Sequence, residues 1–132
     1  MELFIAFGAT ALAFLLLDFA WLGAMANRLY RPRLRAVMGD KVVWPPAVAF
    51  YLIYIAGMSV IAVAPAIAAA DATRALITGA MLGFMAYATY NLTNWSTLKA
   101  WSAAVAIADM SWGTAATALA SYAGAWAALS FA

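Results

Sequence analysis

Four long apolar runs, each interrupted at most once by a charge, organise this chain. Residues 3–27 carry only Asp18, residues 43–70 and 75–98 carry no charge, and residues 100–131 carry only Asp109. A helix needs roughly 17–25 apolar residues to cross a bilayer core about 30 Å thick, so each run is long enough. Lipid offers the backbone N–H and C=O groups no partner, so a lone spanning segment must be helical. The pattern predicts an all-α bundle of four transmembrane helices, a single domain over 1–132. The helices are expected at about 3–27, 43–70, 75–98 and 100–131, with a basic loop at 28–42. Pro45 and Pro46 open the second run, where a missing N–H is harmless. Pro65 lies in its last turns and is expected to kink or end that helix. Ala24-Met25-Ala26 imitates a signal-peptide cleavage site, but the apolar run is too long and lacks a basic start. The segment reads as a first span.

Charge orients the bundle. Arg28, Arg31, Arg33, Arg35 and Lys41 lie in the first connection and Lys99 in the third, whereas Asp71 and Arg74 balance in the second. The positive-inside tendency therefore puts the first and third connections in the cytoplasm and both termini outside. Arg28, Arg31, Arg33 and Arg35 serve topology in the plainer account; in the other they grip anionic lipid phosphates. With 69% hydrophobic and 9% charged residues, the chain cannot coat a soluble particle, and a nucleic-acid partner is excluded. The absence of Cys and His removes disulfides, zinc fingers, haem and iron–sulfur ligation through those residues, and a thiol nucleophile. No cofactor is expected. Two carboxylates and an amide make a thin metal-ligand set.

Depth adds more. Asp18 stands ten residues before Arg28, Tyr51 ten after Lys41, Asn91 eight before Lys99 and Asp109 ten after Lys99. At about 1.5 Å per residue, every helix places a polar group about 12–15 Å from the cytoplasmic boundary. Tyr54 and Tyr87 lie a turn deeper. Tyr87, Tyr90, Asn91 and Asn94 recur at spacings of three and four and share one face of the third helix, with Thr89, Thr93 and Thr97 nearby. The plain account makes these residues glue between helices. The carboxylates are harder to explain so, since an acid at mid-span costs ~2.5–3.5 kcal/mol and usually marks a site. No Lys or Arg lies within a span to neutralise either. Two acids in one pocket resist double ionisation, which favours one bound proton.

Each acid is followed three residues later by an indole, in Asp18-Phe19-Ala20-Trp21-Leu22-Gly23 and Asp109-Met110-Ser111-Trp112-Gly113-Thr114. That spacing puts acid and ring on one face. Trp21 and Trp112 are candidates to meet a cationic or flat ligand; Trp44, Trp95 and Trp101 suit interfacial anchoring. Gly79 and Gly83 form a small-xxx-small pair that packs either within the bundle or between copies in a homo-oligomer.

These segments, with Phe50-Tyr51-Leu52-Ile53-Tyr54 and Tyr87-Ala88-Thr89-Tyr90-Asn91-Leu92-Thr93-Asn94, resemble a bacterial family of small four-helix integral membrane proteins catalogued only as a domain of unknown function. The resemblance covers nearly the whole chain. It implies a multi-pass protein of the bacterial inner membrane and supplies no activity. The first-helix acid is also similar, by analogy alone, to that of small multidrug exporters. Three functions compete. One is transport or binding of protons and a small amphiphilic or lipid-like ligand at Asp18, Asp109, Tyr51, Tyr54, Tyr87, Tyr90, Asn91, Asn94, Trp21 and Trp112. Another is an accessory subunit of a larger membrane complex. The third is a lipid-modifying enzyme with the two acids as general acid and base. No strong nucleophile or metal set supports the enzyme, so no catalytic residue is assigned. Membrane lipids are the expected surroundings.

Overall fold

The computed structural model describes all 132 residues and contains helices and no strand. The first helix runs Glu2–Leu34, the second Trp44–Ala68, the third Ala72–Thr97 and the fourth Ala103–Phe131. The first, second and fourth are long and apolar enough to cross a membrane. The third, at 26 residues, has the length but carries the polar stripe. Its hydroxyls are not interhelical glue. Thr89 donates to the Met85 carbonyl at 2.7 Å and Thr97 to that of Thr93 at 2.8 Å, and Thr93 bonds the Thr89 carbonyl. Hydroxyls satisfied by their own helix can face lipid.

Two helices contain a wide π-type turn, Ala26–Tyr30 in the first and Ser59–Val63 in the second. Each precedes a proline. A proline ring crowds the carbonyl four residues earlier. That residue is Arg28 for Pro32 and Ile61 for Pro65, and both lie inside a wide turn. The distortion makes room for the ring without ending the helix, and Arg33 Nη1 donates to the Arg28 carbonyl at 3.3 Å. The boundaries shift in consequence. The basic loop expected over 28–42 is helical as far as Leu34, leaving 35–43 as the connection. The second helix passes Pro65 and stops at Ala68.

Its end is a left-handed cap. Ala70 has φ 52°, Asp71 N–H bonds the Ala66 carbonyl at 3.0 Å and Ala70 N–H that of Ile67 at 3.0 Å. Glycine usually fills such a position, because a Cβ there costs roughly 1–2 kcal/mol. Ala70→Gly is expected to stabilise the protein by about 1 kcal/mol, read as a higher melting temperature in detergent; an unchanged or lower value would refute the cap. The third helix then starts on Asp71, whose carboxylate accepts from Thr73 N–H at 3.0 Å, and the fourth on Ser102, whose hydroxyl accepts from Val105 N–H at 3.2 Å. Both are ordinary N-caps.

The fourth helix is the centre of the bundle. Ala106, Ala116, Thr117, Ala120, Ser121, Ala125 and Ala128 on it are fully buried. Small side chains let neighbouring backbones close in. A Cβ on Gly79 would lie 2.9 Å from the Ser121 side chain, and one on Gly83 2.5 Å from the Gly113 carbonyl. The Gly79–Gly83 pair is therefore spent within the chain, against the fourth helix, and is not free for a second copy. Large apolar residues such as Leu16, Phe19, Leu52, Ile53, Met81 and Ile107 point outward. A small, partly polar interior under a bulky apolar exterior suits lipid, not water.

The second helix packs on the third and fourth chiefly through its wide turn and the residues after it, while its first half leans on the first helix. The bundle is thus tight at the end holding Ala6, Val63, Ala66, Ala75 and Ala128 and looser at the end carrying the 35–43 connection. The space left there contains the polar layer.

Candidate functional site

A cavity of about 500 Å³ lies in the looser half, and both Asp18 and Asp109 line it. Tyr30, Tyr87, Tyr90 and Trp101 supply its aromatic wall and Leu22, Leu34, Phe50 and Val105 much of the rest. Asp18 is buried, at 7% exposure, and Asp109 is half-buried. A mainly apolar wall with a few fixed polar groups is the usual build of a small-molecule site.

Each carboxylate is held by two neutral donors. Asp18 accepts from the Tyr51 hydroxyl at Oδ2 and from Trp112 Nε1 at 3.3 Å on Oδ1. Asp109 accepts from the Tyr30 hydroxyl at 2.5 Å and from Asn91 Nδ2 at 2.7 Å. Hydroxyl, indole and amide N–H groups can all satisfy an ionised carboxylate but bring no charge to balance it.

The wiring crosses between helices. Trp112 shares the fourth helix with Asp109 yet bonds Asp18. Trp21 shares the first helix with Asp18 yet donates to the Tyr30 hydroxyl at 2.7 Å, and that hydroxyl in turn donates to Asp109. The two indoles stack with centroids 4.7 Å apart and planes 5° from parallel. Each Asp-x-x-Trp segment thus braces the other's acid, and the indoles stand outside the cavity wall. They position the acids and do not line the cavity.

The remaining candidates separate. Tyr87 and Tyr90 line the cavity, and Asn91 is fully buried beside it with Oδ1 unpartnered. Tyr51 reaches the site only through Asp18. Tyr54 turns away to bond Thr117 Oγ1 at 2.7 Å. Asn94 is half-buried and does not line the cavity.

Residues 3–126 match the model of a family described as "Predicted membrane protein (DUF2177)". The chain belongs to this family. No curated protein and no solved structure matches it. DUF2177 is a family of unknown function, so the geometry of this member has to speak for itself.

Two of its site residues escape periodicity. Tyr30 falls in the expected loop, and its only signal is Pro32, which forces the wide turn that carries it. Trp101, assigned above to the interface, instead lines the cavity, packs edge-on against Tyr90 at 5.6 Å and keeps a buried Nε1 without a partner. Of the four arginines between Arg28 and Arg35 of this DUF2177 chain, Arg31 and Arg35 join Lys41 and Asp40 around a second, surface cavity of about 460 Å³. Arg33 turns back to the Arg28 carbonyl, and neither of that pair lines it.

Proposed function

We propose that this membrane protein binds a small amphiphilic, lipid-like ligand with a cationic head between Asp18 and Asp109, exchanging it for protons as a step of transport. One observation carries the reading: two carboxylates line the same cavity, each held by neutral donors, with no cation of the chain beside them. Buried acids demand a compensating positive charge, and protons or a ligand cation can supply it in turn. The apolar wall suits the ligand's hydrocarbon part. The test is proton release. Octylammonium chloride added to purified protein in weakly buffered, uncharged detergent should release protons in step with binding, and less so in an Asp18→Asn, Asp109→Asn double variant. Absence of both binding and release overturns the proposal.

The reading places the protein in a bacterial inner membrane with both termini outside, so that the cavity and the basic connection face the cytoplasm. Arg31, Arg35 and Lys41 then meet the phosphates of that leaflet. Single cysteines at Ala36 and Ser130 report on this. An impermeant thiol reagent on intact cells should label position 130 and spare position 36; the reverse result refutes the orientation.

A further inference from the structure

We infer that the head of this ligand is a primary ammonium, bearing N–H donors, and not a quaternary ammonium or an anion; the inference rests on the function proposed above. The cavity offers acceptors. Asp18 and Asp109 present carboxylate oxygens to it, and four neutral donors leave further lone pairs on those oxygens free. Asn91 adds another. It is fully buried, its Nδ2 is committed to Asp109 Oδ2 at 2.7 Å and to the Tyr87 carbonyl at 2.9 Å, and its Oδ1 has no partner. Because its nitrogen is tied to the Asp109 carboxylate, that oxygen sits within one amide's width of it. A buried carbonyl oxygen left empty is costly, and an N–H from an occupant that reached it would remove that cost. N–H groups on one nitrogen can serve the carboxylates that line the cavity as charge-assisted hydrogen bonds.

A quaternary head has nothing to donate and relies on open aromatic faces. Several of the rings around the acids are already engaged with one another. Trp21 and Trp112 lie face to face outside the cavity wall, Trp101 and Tyr90 meet edge to face, and Phe50 stacks on Tyr54 at 5.3 Å. An anionic head would meet two carboxylates, and the one fully buried donor left unpartnered in the wall is Trp101 Nε1. The polar groups thus select for N–H count as well as for charge.

Three probes of equal chain length separate the possibilities: octylammonium, octyltrimethylammonium and octanoate. Equilibrium dialysis against the full-length protein in maltoside detergent should show octylammonium binding at least ten-fold tighter than octyltrimethylammonium, with octanoate unbound. Asp109→Asn, checked for folding by its melting curve, should abolish the difference. Equal binding of the two cations overturns the inference and leaves the proposed function standing. Binding of octanoate alone, or of none of the three, overturns both. The comparison on the unmodified protein decides even where the variant does not fold.

Discussion

Gly83→Leu is expected to yield no folded bundle. A Cβ at that position would already lie 2.5 Å from the Gly113 carbonyl and 2.7 Å from Thr117 Cβ, and leucine adds three more carbons along the same line. Backbone on one side and a β-branched residue on the other leave nothing that can swing aside. The third and fourth helices would have to part. Parting them breaks the Asn91–Asp109 bond and lifts Tyr87 from Gly113, where the ring occupies the place a side chain would take. Overpacking of a single methylene costs ~1–3 kcal/mol, and this wedge exceeds that against a typical total stability of ~5–15 kcal/mol. Size-exclusion chromatography and melting in detergent measure the outcome. Gly57→Leu is the control, because nothing stands within 4 Å of its Cβ. If both variants melt alike, the packing described for the fourth helix is wrong.

The two acids should behave differently from the glycines: removing their charge spares the fold and removes the binding. Asparagine at position 18 can turn its oxygen to Trp112 Nε1 and its amide to the Tyr51 oxygen, since a hydroxyl accepts as well as donates. Asparagine at position 109 can likewise accept from Asn91 and donate to Tyr30. Each leaves one tyrosine hydroxyl hydrogen without its carboxylate acceptor, that of Tyr51 for position 18 and that of Tyr30 for position 109, so each variant should lie within about 1–3 kcal/mol of the unmodified stability. Binding is another matter. Loss of one member of a buried, charge-assisted pair costs about 3 kcal/mol or more, roughly a hundred-fold in affinity. Dialysis with octylammonium and a melting curve give the two readouts on the same sample. Folded variants that bind as tightly as the parent would make the acids structural.

The helices and the depth of the polar layer were legible because lipid leaves the backbone no alternative and fixes the length it must span. Rise per residue then converts spacing into depth, which is how Asp18, Tyr51, Asn91 and Asp109 line up without any tertiary information. Angular position survives less well. Tyr30 follows Trp21 by nine residues, about two and a half turns of regular α-helix, which assigns it to the opposite face. The wide turn at Ala26–Tyr30 changes that phase and brings its hydroxyl to Trp21 and Asp109. Periodicity also says that Asp109 and Trp112 share a face but not that the indole will serve the acid of another helix. Trp101 precedes the first residue of its helix, where no period applies. For Gly79 and Gly83, small size announced a close contact without saying with which surface, and the answer came only from the position of the fourth helix.

The stacked indoles carry a consequence for observation. Parallel aromatic rings at 4.7 Å do not absorb independently, because the excitation of one is shared with the other. One of the pair rides on the first helix and the other on the fourth, so their shared excitation depends on the spacing of the two helices that hold the acids. Circular dichroism in the indole bands therefore contains an optical gauge of the site, built from the protein's own chromophores. Any occupant that pries Asp18 from Asp109, or draws them together, writes its presence into that spectrum without a label being attached.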